Sequence, residues 1–169
     1  MISAQSTSKL TQLDGLRGLC IICVVFYHID KRIVSGGFVG VDVFFVVSGY
    51  LITMVILRDL QTNRFSLVVF YARRIKRLIP ALYLMIAVSS ICSWFLVPQY
   101  ELSSFVGSAR SSIIYLSNSF FAADVSYFDK TAAYKPLLHT WSLSVEEQVY
   151  LIIPVILLVV YRYCQHHLL

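Results

Sequence analysis

Charge is scarce in this sequence. Only 14% of its 169 residues are Asp, Glu, Lys or Arg, where a soluble domain carries about a quarter. A water-soluble fold would leave far too much apolar surface uncovered, because 58% of the residues are hydrophobic and the mean hydropathy is +0.74. The excess must face lipid. The net charge of +5 could suggest nucleic acid, but that reading needs a basic stripe on a soluble domain, and too little of this chain can be in water. Cysteine is also sparse. Cys20-x-x-Cys23 lies in an apolar run with no second pair of ligands, so packing explains it better than redox chemistry or a metal site. Nor is a cleavable signal expected: the first dozen residues are polar, and the first apolar run contains Arg17 and His28, which argues for a retained helix. Internal repeats, low-complexity tracts and long linkers are all missing, and the chain reads as one membrane domain.

What is present is a series of five apolar runs, at 13–29, 37–57, 78–97, 102–122 and 143–163. At about 1.5 Å per helical residue, a run of twenty suffices for a hydrocarbon core of about 30 Å. The pattern predicts an all-α, polytopic membrane bundle of about five transmembrane helices. Pro80 is expected in the first turn of the third helix, where proline is tolerated. The fourth run is serine-rich and interrupted by Arg110, so it either spans or is partly re-entrant. Between the second and third runs lie Arg58, Arg64, Arg73, Arg74, Lys76 and Arg77 against Asp59 alone. Basic loops stay inside, which places residues 58–77 and the N-terminus on the cytoplasmic side.

Ionisable groups inside membrane helices are costly and persist where they pair or act. Arg17 and His28 are eleven residues apart. At about 100° per residue they share a helix face, about 16 Å apart along the axis. A neutral imidazole there could take a proton from a hydroxyl; alternatively Arg17 snorkels to the interface and His28 caps the outer helix end. Asp42 is expected to pair with Arg17 or orient His28. Arg74 and Arg77 would share a face if ARRIKRLIP is helical, and paired guanidiniums suit phosphate; composition alone favours positive-inside anchoring. In HTWSLSVEEQVY, Ser144 and Glu147 have capping-box spacing, which makes Glu147 a helix start rather than a catalytic acid. That leaves Glu146 one turn from Tyr150, with His139 nearby as a partner.

These strings, in this order, resemble the acyltransferase-3 family of membrane acyltransferases. LDGLRG with His28, GGFVGVDVFFVVSGYLIT, FYARRIKRLIPAL and PLLHTWSLSVEEQVYLIIP carry the resemblance across most of the chain from Leu13 to Pro154. The subgroup it is most similar to acetylates lipopolysaccharide O-antigen and related glycans. The resemblance implies a multi-pass protein of the bacterial inner membrane that transfers acetyl from cytoplasmic acetyl-CoA to a hydroxyl of a cell-surface polysaccharide. It places the family's arginine and histidine of the first helix on Arg17 and His28, and its arginine-x-x-arginine motif on Arg74 and Arg77. In that scheme the arginine pair holds the donor's phosphates. His28 is a general base or a transient acyl carrier, and Arg17 steadies the thioester or oxyanion. Asp42, His139, Glu146 and Glu147 are supporting candidates. Acetyl-CoA is a donor substrate; no resident cofactor or metal is expected. Partners would be membrane lipid, the donor, a surface glycan and a missing C-terminal half, since family members carry further membrane helices beyond the five found here. The rival readings are a non-catalytic fragment and a transporter-like protein, because intramembrane Arg, His and Asp also mark ion pathways.

Overall fold

The computed structural model describes residues 4–124 and 135–167. These are helical throughout: α1 Ala4–Ile29, α2 Val39–Gln61, α3 Leu67–Leu96, α4 Leu102–Ile113 after a single 3-10 turn, α5 Ser117–Asp124 and α6 Thr140–His167. Among the described residues, four helices are long and apolar enough to cross a membrane: α1 from Gln12, α2, α3 and α6 as far as Gln165. Their apolar side chains are largely uncovered. Val46, Val68, Phe95 and Leu96 are all more than 70% exposed, which suits a lipid-facing surface and not an aqueous one. The chain is a membrane protein.

The run at 102–122 is not a continuous span. It is broken into α4 and α5, and twelve residues reach only about 18 Å. The break is a Schellman motif. The Leu116 N–H bonds to the Ser111 carbonyl at 2.8 Å and the Tyr115 N–H to the Ser112 carbonyl at 3.2 Å. Tyr115 occupies the left-handed position, at φ 54°. The third helix also departs from expectation. It starts eleven residues early, at Leu67, where the Ser66 hydroxyl caps it by accepting from the Val69 N–H. Pro80 therefore lies in the helix interior, and the basic string is helical rather than a loop.

The chain divides into two compact units, residues 1–64 with 157–169, and residues 65–156. In the first, α1 packs on the start of α2 through glycine. A Cβ on Gly37 would strike the Cys23 carbonyl oxygen and lie 2.7 Å from Tyr27 Cβ, and one on Gly40 would lie 2.8 Å from the Cys20 carbonyl oxygen. Small residues let the two backbones approach this closely. Cys20 is buried at this contact. In the second unit, Leu82, Ile86, Phe105, Phe121 and Leu137 form the apolar core. A polar seam joins α4 and α5 to α6. Ser112 Oγ meets Thr140 Oγ1 at 2.8 Å and Ser117 Oγ meets Ser144 Oγ at 2.6 Å, while Asn118 and Gln148 exchange amide bonds of 3.1 and 3.0 Å. Buried hydroxyls and amides thereby satisfy one another.

Candidate functional site

Two groups of candidate residues emerge, one in each unit. In the first, α1 presents Arg17 and His28. The Arg17 side chain is about four-fifths buried, pairs with Asp14 at 3.8 Å and stacks its guanidinium 4.7 Å from the Phe44 ring centroid. His28 is exposed, one residue before the end of α1. Its Nδ1 lies 2.8 Å from the Val24 carbonyl oxygen. A carbonyl only accepts, so Nδ1 carries the proton and the neutral ring keeps its lone pair on Nε2.

The expected pairing of Asp42 with Arg17 is not seen. Asp42 is exposed, and among the described residues it forms no ion pair with Arg17. The helix explains the difference: α2 starts at Val39, so Asp42 sits in the first turn, where the macrodipole favours an acid.

In the second unit, α3, the α4–α5 break and α6 line a half-open cavity of about 320 Å³. Arg74 and Glu147 lie side by side in its wall, 3.9 Å apart, with side chains only 19% and 13% exposed. The guanidinium lies 3.6 Å from the centroid of the Tyr150 ring, a cation–π contact. The Tyr150 hydroxyl donates to Glu146 Oε1 at 2.6 Å, the same-face pairing their spacing predicts. The Tyr71 hydroxyl donates to the Leu151 carbonyl at 2.6 Å. Leu78, Ile79, Ile114 and Leu116 supply apolar wall.

Glu147 is not a helix cap. The helix starts at Thr140, so Ser144 is one turn inside it and is committed to Ser117 through the seam. Glu147 is left to pair with Arg74. Its Oε1 is shut off from solvent and accepts no hydrogen bond from any described protein group. Arg77 and His139 are exposed. Sequence reasoning passed over Tyr115 and Gln148. Tyr115 projects from the left-handed turn into the cavity wall, held by a 2.8 Å bond from Gln148 Nε2 to its carbonyl. Burial first, then the charge of Glu147 and the Tyr83 phenol, push the Tyr115 hydroxyl above its ordinary range, so it stays a neutral donor. No single-residue motif flags such a turn, although the polar Asn118 and Gln148 in apolar runs were visible.

The acyltransferase domain family matches residues 10–169. The chain belongs to the acyltransferase-3 family. It is 44% identical over 163 residues to the peptidoglycan O-acetyltransferase OatA of Listeria monocytogenes, covering 95% of this chain and 26% of that protein. It is 40% identical over 154 residues to the O-acetyltransferase OatA of Staphylococcus aureus, covering 90% of this chain and 25% of the relative. The chain thus spans about a quarter of the length of these acyltransferase-3 relatives. No solved structure matches it. The lipopolysaccharide O-antigen subgroup suggested by sequence finds no support here, since the Listeria relative is named for peptidoglycan.

Proposed function

We propose that this chain forms the donor-side part of a multi-pass membrane O-acetyltransferase. It moves acetyl from acetyl-CoA, bound on the cytoplasmic side, to a hydroxyl of a cell-surface glycan. The name of the Listeria relative favours peptidoglycan over O-antigen as acceptor. One observation carries the chemical part of this reading: the bond from His28 Nδ1 to the Val24 carbonyl at an exposed helix end, which in the neutral ring leaves Nε2 as the nitrogen with the lone pair. Nε2 takes the acceptor hydroxyl's proton as its oxygen attacks the thioester carbon, the C–S bond breaks, and the proton passes to the departing thiolate. Alternatively Nε2 itself attacks the thioester carbon, the C–S bond breaks to release the thiolate, and the acetyl is carried until the hydroxyl oxygen takes it, breaking the N–acyl bond and passing its proton to the thiolate. Arg17 lies on the same helix with its charge held in place by Asp14 and Phe44, available to stabilise the oxyanion. The basic turns of α3 around Arg77 meet the donor's phosphates.

The test is to express the full-length protein in a bacterial strain lacking its own related acetylase, then measure alkali-labile acetate on each purified surface polymer. Acetate restored to peptidoglycan is the expected result. Acetate on a different glycan would overturn the acceptor, and none on any polymer would overturn the activity.

A further inference from the structure

The cavity of the second unit is built unlike a phosphate site. Arg74 enters it already paired with Glu147 and with one guanidinium face covered by Tyr150. A phosphate drawn to Arg74 would meet the carboxylate at the same time. Glu147 Oε1 is a buried acceptor without a hydrogen bond from the described protein groups, and buried acceptors are almost always satisfied. Ionised phosphate cannot satisfy it, because it brings only further acceptors. An amide or hydroxyl can. At 3.9 Å the Arg74–Glu147 contact is longer than a hydrogen bond, so the arginine can still donate to an amide carbonyl while the glutamate accepts an amide N–H. Around these two groups the wall is apolar, and a volume near 320 Å³ lies at the small end of ligand pockets, about 300–1,000 Å³. That is room for a slender chain, not for a chain together with its nucleotide. The strained Tyr115 turn, fastened by Gln148, closes one side, which is where backbone strain tends to collect.

We propose that Arg74 and Glu147 divide from Arg77 in their work. The first two bind the uncharged, amide-bearing arm of the thioester donor inside the cavity, and the exposed Arg77, three residues along α3, meets its phosphate outside. This rests on the acetyl-CoA reading given above, and it reassigns Arg74 from phosphate to arm.

Two probes separate the possibilities: coenzyme A, and pantetheine, which keeps the amides and thiol but lacks every phosphate. Dissociation constants for both are measured by calorimetry on the purified full-length protein and its variants. Arg77→Gln weakens coenzyme A about tenfold, as loss of a charge-assisted bond does, and leaves pantetheine unchanged. Glu147→Ala weakens both probes by a similar factor of about ten. Glu147→Gln, which preserves an acceptor oxygen and the side chain's shape, loses less and serves if the alanine variant does not fold. Tighter coenzyme A binding in either Glu147 variant would mean that the carboxylate opposes a phosphate at Arg74, and would overturn the division. Unchanged pantetheine binding in those variants would do the same. If the unaltered protein binds neither probe, the acetyl-CoA reading itself falls and this assignment falls with it.

Discussion

Replacing Gly37 by alanine tests how α1 is seated on α2. The added methyl would overlap the Cys23 carbonyl oxygen and lie 2.7 Å from Tyr27 Cβ. Neither atom belongs to a side-chain end that can swing away, so α1 itself has to shift. Overpacking of this kind costs about 1–3 kcal/mol, and rigid neighbours put this case at the upper end. Alanine also stiffens the unfolded chain, which returns about 0.4–1 kcal/mol and leaves a net loss of about 2 kcal/mol. Because His28 follows Tyr27, the displacement reaches the imidazole as well. Gly36→Ala is the matched control, since a Cβ there has nothing within 4 Å and no glycine has a positive φ among the described residues. Thermal melting of the detergent-solubilised full-length protein should show Gly37→Ala several degrees below the parent, with Gly36→Ala unshifted. Equal melting temperatures for all three proteins would refute the close-approach explanation.

Three further substitutions probe the second unit and the end of α2. Ser144→Ala strips a partner from both the Ser117 hydroxyl and its backbone N–H, so a loss of about 1–3 kcal/mol is expected. Less than half that loss in a Ser117→Ala background marks true coupling in a double-mutant cycle. Arg74→Ala leaves the Glu147 carboxylate buried alone, a change worth about 3 kcal/mol. The Arg74→Ala, Glu147→Ala double variant should melt above Arg74→Ala; additive losses would contradict the pairing. Asn63 ends α2 in the left-handed conformation, at φ 54°. Valine there should cost about 1–2 kcal/mol and glycine nothing, as read by chemical denaturation.

Much of the architecture was legible because lipid imposes length and apolarity on a spanning helix. The runs at 13–29 and 143–163 fall wholly within α1 and α6, and the run at 37–57 falls within α2 apart from its first two residues. The departures have local causes. Ser66 caps α3 ahead of the basic string, a signal hidden by the charge that follows it, and Pro80 is then carried inside the helix. Ser111, Ser112 and Tyr115 end α4 through backbone bonds that composition does not encode, so the serine-rich run left spanning and re-entrant readings both open. At the candidate site, the Glu146–Tyr150 pairing followed from helix periodicity. The Arg74–Glu147 pair joins residues far apart in sequence, and spacing along one helix has nothing to say about that. The place of Asp42 in the first turn of α2 likewise depends on where that helix begins, which spacing along α1 does not reveal.

The account depends most on His28, the imidazole whose Nδ1 is bonded to the Val24 carbonyl. In the full-length protein, His28→Gln keeps the size and polarity of the side chain but supplies no base. Alkali-released acetate from the surface polymers of cells carrying this variant should fall to the level of cells lacking the enzyme, while the amount of protein in the membrane stays at the parental level. Acetate release equal to that of the parent would contradict the assignment of His28 as the base or acyl carrier.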